Sequence, residues 1–110
     1  MASEELIFKI KADFLKSIAS PVRLAVIEHL KTGESSVGQL VKALGVEQSS
    51  LSKHLSILRQ TGILAARQEK VTVYYSVKDK DIYKVLRPIA DMLRKKLQES
   101  HTVLDHLSRK

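Results

Sequence analysis

The chain has no cysteine and no tryptophan, only two prolines and four glycines, and aromatic residues at 5% of its 110 positions. Without a thiol it forms no disulfide, holds no soft metal through thiolates and runs no thiol redox switch; the same lack suits a reducing cytosol. No apolar run approaches the ~20 residues that a membrane-spanning helix needs. The opening MASEELIFKIKADF sets acids where a signal peptide carries bases, so a cytoplasmic location is expected. Internal repeats, low-complexity segments and flexible linkers are also missing, and one domain over residues 1–110 is expected. Nor does catalytic chemistry stand out. There is no glycine-rich phosphate loop, no paired carboxylates and no nucleophile–base pair; the Ser-x-x-Ser-x-His run at 49–54 sits on a helix without an orienting acid. Neither an enzyme nor a cofactor is expected.

What the chain has in excess is positive charge, +7 net at neutral pH, which favours a polyanionic partner. The excess is unevenly spread. Residues 1–35 balance, with Lys9, Lys11, Lys16, Arg23 and Lys31 against Glu4, Glu5, Asp13, Glu28 and Glu34. Basic residues therefore outnumber acids only further along. Composition alone does not distinguish a nucleic-acid surface from a merely solvated one.

Apolar residues at Leu6, Ile7, Ile10, Phe14 and Ile18 recur every three or four positions and predict an amphipathic helix over 3–18. Ser20-Pro21 is a stop followed by a start, with serine as N-cap and proline in the first helical turn. The second helix carries Val22, Leu24, Ala25, Ile27 and Leu30 and is expected to end at Gly33. Asp79 to Leu107 reads as helical with an interruption at Pro88: a short helix at 79–86 and a long one from 87–88, or one kinked helix. Its apolar positions, Ile89, Met92, Leu93, Leu97, Val103, Leu104 and Leu107, are expected to be buried.

Residues 36–77 carry most of the functional information. Ser36 and Gln39 form a capping box for a third helix, whose Val37, Leu40, Val41 and Leu44 face inward, and Gly45 supplies a turn. A fourth helix, Gln48 to Thr61, presents Leu51, Leu55 and Leu58 on one face and Gln48, Ser49, Ser52, Lys53, Ser56 and Arg59 on the other. Three serines and a glutamine are poor helix formers, so their presence needs another reason, and an outer face that must exchange hydrogen bonds supplies one. Gly62 ends that helix. Ile63–Arg67 and Val71–Val77 then pair as a hairpin around Gln68-Glu69-Lys70. A helix, a tight turn, a second helix with a polar face and a hairpin make a winged helix-turn-helix, which sets its second helix in the major groove of DNA. The expected fold is thus mostly α with a β-hairpin wing, the helix-turn-helix at 36–61 and the wing at 63–77.

With these elements placed, LKSIASPVRLAVIEHL (15–30), SSLSKHLSILRQTGIL (49–64) and VTVYYSV (71–77) follow one another in the order and spacing of the ArsR family of winged-helix repressors, and the chain resembles that family along nearly its whole length. The resemblance implies a homodimer built by the terminal helices, 3–18 and 88–107, and a palindromic operator in double-stranded DNA. It implies base contacts from Gln48, Ser49, Ser52 and Lys53, phosphate contacts from Ser50, Ser56 and Arg59, and wing contacts from Arg67 and Lys70, which flank the hairpin turn. His54 leans toward the leucine stripe, so a buttressing role outweighs base contact or metal ligation, and Arg23 reads as a clamp between helices.

The chain also departs from the family. Where many members bind soft metals through a Cys-Val-Cys pair, it has Ser36, Val37 and Gly38, so thiolate sensing is excluded. Of the family's other metal motif, Asp91 remains, but Leu93, Leu104 and Leu107 replace its ligands. At the usual serine cap of the recognition helix stands Glu47. His101, Asp105 and His106 are the residual metal candidates: His101 and Asp105 share a helix face, and partner ligands would have to complete a tetrahedral site. An exposed polar helix end is the plainer alternative. A regulator with an effector of unidentified chemistry is one reading; a winged-helix module that meets an acidic protein is the other, disfavoured by the lack of aromatic anchors.

Overall fold

A computed structural model describes residues 2–108. The chain divides into two compact units, Met1–Asp79 and Lys80–Lys110. In the first, the elements run α1 (Ala2–Ile18), α2 (Pro21–His29), a 3₁₀ turn (Leu30–Thr32), β1 (Ser35–Ser36), α3 (Val37–Leu44), α4 (Gln48–Gln60), β2 (Leu64–Glu69) and β3 (Thr72–Val77). The second unit holds α5 (Ile82–Ser108).

The helix ends follow local chemistry. The Ser20 hydroxyl accepts from the Arg23 amide at 3.4 Å, and Pro21 occupies the first turn of α2. That helix stops at His29, earlier than expected, and a 3₁₀ turn carries the chain to Gly33 at φ 146°. Both halves of the Ser36–Gln39 capping box form: the Gln39 amide donates to Ser36 Oγ at 3.2 Å, and the Ser36 amide donates to Gln39 Oε1 at 2.8 Å. Gly45 closes α3 in the left-handed region at φ 65°. At the end of α4 the Ile63 amide reaches the Leu58 carbonyl (2.9 Å) and the Gly62 amide the Arg59 carbonyl (3.1 Å), with Gly62 at φ 81°. This paired closure satisfies carbonyls that the helix leaves open and turns the chain into the wing.

The core of the first unit gathers Ile18, Val26, Ile27, Leu30, Leu40, Leu51, Leu55, Leu58, Ile63 and Leu64, each 6% exposed or less. Burying one such side chain contributes about 1.5–3 kcal/mol. Leu51, Leu55 and Leu58 are fully buried, so the rotation of α4 about its own axis is determined by its leucine stripe.

The sheet has three strands, not two, in the order β1-β3-β2. β1 is only Ser35–Ser36 and pairs Ser35 with Tyr75 and Ser36 with Tyr74. A two-residue polar strand carries no alternation from which to recognise it. The hairpin also differs from expectation. β2 begins at Leu64, and the ladder runs out through Gln68↔Val73 to Glu69↔Thr72, so the turn is the two-residue Lys70-Val71. Lys70 adopts φ 57°, which costs about 1–2 kcal/mol for a residue with a Cβ and hides the turn from a search for Asn-Gly or Asp-Gly.

In the second unit α5 is a single 27-residue helix that passes through Pro88, not two helices. Within one chain its apolar stripe is not buried: Ile89, Met92, Leu93, Leu97 and Leu107 are between 43% and 70% exposed. The side chains of Val103 and Leu104 lie outside the described residues. In α1, Leu6, Ile7, Phe8, Ile10 and Leu15 are likewise at least half exposed, and Ile18 alone of the predicted stripe is buried. The periodicity is real. In a single chain most of both stripes is exposed.

Candidate nucleic-acid interface

The buried leucine stripe of α4 forces its opposite side outward. Gln48, Ser49, Ser52, Lys53, Ser56 and Arg59 are all exposed, while Ser50 is half-buried. Glu47 occupies the N-cap position, but its side chain caps no backbone amide; its carboxylate instead accepts from the Ser49 hydroxyl at 2.8 Å. Ser49 therefore spends its proton inside the protein and presents lone pairs outward. Lys53, Arg59 and Lys70 form no ion pair among the described residues, which leaves three cations available to an anionic partner.

Behind this face lies a clamp that ties three helices together. Arg23 Nε donates to His54 Nδ1 at 3.0 Å, and its Nη1 donates to the carbonyls of Ser17 (2.9 Å) and Lys16 (3.3 Å) at the end of α1. His54 accepts through Nδ1, so a neutral ring carries its proton on Nε2. Both residues thus take the structural positions expected of them, joining α1, α2 and α4 behind the exposed face.

Arg67 has partners that the sequence reading did not foresee. Its Nε and Nη2 grip the Glu34 carboxylate at 3.2 and 2.6 Å, its Nη1 donates to Glu69 Oε2 at 2.8 Å, and its guanidinium carbon lies 4.7 Å from the Tyr74 ring centre. The side-chain bond from Arg67 holds the Glu34 carboxyl below its ordinary range, and the same bond followed by that to Glu69 holds the guanidinium above its own. Glu34 and Tyr74 were missed for a definite reason. Arg67 and Glu34 are 33 residues apart, and only the sheet brings them together. Lys70 sits at the hairpin tip beside Val71, which is 95% exposed. His101, Asp105 and His106 are exposed positions on α5, and among the described residues no three histidine, cysteine, aspartate or glutamate side chains come together as a metal site. No described helix is long and apolar enough to cross a membrane.

Comparison with known proteins agrees with this geometry. Residues 20–66 match the model of the arsR family of bacterial regulatory proteins. The HTH-type transcriptional regulator Rv0081 of Mycobacterium tuberculosis is 37% identical over 108 residues, 97% of this chain and 94% of the relative. Its crystal structure superposes with a TM-score of 0.77 at 35% identity, over 86% of this chain and 95% of that one. NolR from Sinorhizobium fredii gives a TM-score of 0.78 at 33% identity, over 84% and 92% respectively. The transcriptional repressor BigR of Xylella fastidiosa gives 0.72 at 28%, over 83% and 93%. A face of groove-sized polar side chains on a helix locked by leucines, a wing beside it and relatives of this kind lead to one assignment: the chain belongs to the arsR family of bacterial regulatory proteins and is a winged helix-turn-helix transcriptional regulator that binds DNA.

Proposed function

We propose that the protein works as a homodimeric repressor on a two-fold-symmetric operator. The observation that carries this reading is the division of α4, with Leu51, Leu55 and Leu58 fully buried and a continuous polar, partly cationic strip opposite them. In the proposal Gln48 and Lys53 read bases, glutamine suiting adenine and lysine guanine, while Ser49, whose proton is held by Glu47, accepts from a base and Ser52 accepts or donates according to the base it meets. Ser50, Ser56 and Arg59 hold phosphates and set the register, and Lys70 reaches the backbone or minor groove from the wing tip. The dimer is supported by the apolar side chains that α1 and α5 each leave exposed in a single chain, because an apolar helix face of this kind is seldom left in water. A winged helix-turn-helix domain of Mycobacterium bovis with the same fold is described as homodimeric. Two recognition helices related by a two-fold axis read half-sites about one helical turn, ~34 Å, apart.

The test is to incubate the metal-free protein with sheared genomic DNA from its source and sequence what it retains. Enrichment of a two-fold-symmetric site upstream of a gene supports the proposal. Retention without sequence preference, by protein that sedimentation finds to be a dimer, would overturn the operator assignment. Substituting Lys53 by alanine is expected to weaken binding by about thirtyfold or more with the dimer intact, as for loss of one base contact of about 1 kcal/mol in each of two half-sites.

A further inference from the structure

We propose that Arg67, gripped by Glu34 and Glu69, is a positioning residue that holds the wing at a set angle to the recognition helix, and not a DNA contact; this rests on the DNA-binding reading above. Three observations converge on it. The first is charge. One guanidinium between two carboxylates leaves the cluster with a net negative charge, so a phosphate approaching Arg67 meets repulsion, unlike one approaching Lys53, Arg59 or Lys70. Three of the five N–H donors of Arg67 are already spent on carboxylates, and one face of its guanidinium is covered by Tyr74.

The second is where the cluster sits in the sheet. Arg67 pairs with Tyr74, and Tyr74 pairs on its other side with Ser36. That row is the last in which the sheet is three strands wide. Beyond it, from Gln68↔Val73 to the Lys70-Val71 turn, the wing is an unsupported two-stranded ribbon, and such ribbons are only marginally ordered on their own. The Arg67–Glu34 fork therefore spans the point about which the wing would swing. The third is what Glu34 is attached to. It precedes β1, and β1 runs directly into the Ser36 cap of α3, the first helix of the helix-turn-helix. A bidentate arginine–carboxylate pair restricts orientation as well as distance. Wing and helix-turn-helix are thereby joined twice, by the β1–β3 ladder and by the fork.

The experiment measures Arg67→Ala, Arg67→Lys and Glu34→Gln by two readouts. One is hydrogen exchange of the 68–73 amides in the free protein. The other is affinity for a mixed-sequence DNA duplex as a function of salt. The positioning role expects all three variants to speed exchange at the hairpin tip. It also expects each to weaken DNA binding by about three- to tenfold per dimer, as for loss of one ordered ion pair per protomer, with the salt slope unchanged. Removing Glu34 weakens binding here even though it removes a negative charge from the DNA side of the molecule. A phosphate contact expects the reverse. Glu34→Gln would tighten binding, Arg67→Lys would retain it, and Arg67→Ala would lower the salt slope by about 0.9 per protomer. That pattern, or unaltered exchange in all three variants, overturns the proposal. Because exchange is read without DNA, failure of the wing assignment is distinguishable from failure of the operator assignment, which would appear as unspecific binding by the unsubstituted protein.

Discussion

Substituting Arg23 by alanine removes one side chain and three hydrogen bonds at once, and the structure allows the cost to be worked out. Arg23 Nε donates to His54 Nδ1 at 3.0 Å, and Nη1 donates to the Ser17 carbonyl at 2.9 Å and the Lys16 carbonyl at 3.3 Å. The bond to Lys16 is long and exposed and contributes little. The other two are part-buried and charge-assisted, a class worth about 1.5–3 kcal/mol each at best. Arg23 remains partly exposed, so water replaces part of what is lost, and the expected destabilisation is about 2–3 kcal/mol. For a chain of this length that corresponds to a fall in Tm of roughly 8–15 °C. His54→Ala breaks only one of the bonds and should cost about 1 kcal/mol. If the bond between them is the principal coupling, the double variant should be more stable than the sum of the single losses predicts, by about 1 kcal/mol. Urea unfolding at one fixed protein concentration measures all four corners, the fixed concentration being necessary for a protein that associates. A coupling energy indistinguishable from zero, or an Arg23→Ala loss under about 0.5 kcal/mol, would refute the clamp as a stabilising feature.

Leu55 is fully buried in the middle of the α4 stripe, so Leu55→Ala should cost about 2–5 kcal/mol in the same unfolding assay and weaken DNA binding as α4 loosens. Leu97, 70% exposed in a single chain, tests the dimer: Leu97→Glu should leave the fold intact by circular dichroism and shift sedimentation to the monomer, whereas an undisturbed dimer would remove this face of α5 from the interface. The Glu34 carboxyl titrates below its ordinary range because Arg67 bonds to it. The wing contact is therefore complete above that range and is lost as pH falls through the depressed value. Tyr74 ring resonances, followed from neutral pH to about pH 3, should report that loss in the native protein and stay flat in Arg67→Ala.

The helix-turn-helix was legible because each of its signals acts locally. The Ser36–Gln39 box needs only residues three apart, and Gly45 and Gly62 take left-handed backbone where side chains resist it. The Leu51–Leu55–Leu58 stripe rotates α4 so that Ser49, Ser52, Lys53 and Ser56 face out, whatever packs behind. The apolar stripes of α1 and α5 were equally visible. Periodicity records that a face is apolar and not what covers it, and in a single chain most of both stripes is exposed. At Pro88 the sequence leaves two helices or one open: a proline removes one helical hydrogen bond, and whether the helix survives that loss depends on the other residues of a 27-residue element, which here runs through as a single helix.

The sequence by itself thus determined the apolar stripes of the helices, the Ser20 and Ser36 caps and the family to which the chain belongs, since the stripes and caps depend on neighbours within a few positions. Tertiary structure alone decided the rest. The strand at Ser35–Ser36, the left-handed turn at Lys70, the Arg23–His54 bond and the carboxylates around Arg67 join residues remote in sequence or override local preference, and a residue's remote partners exist only once the sheet and core have brought them together.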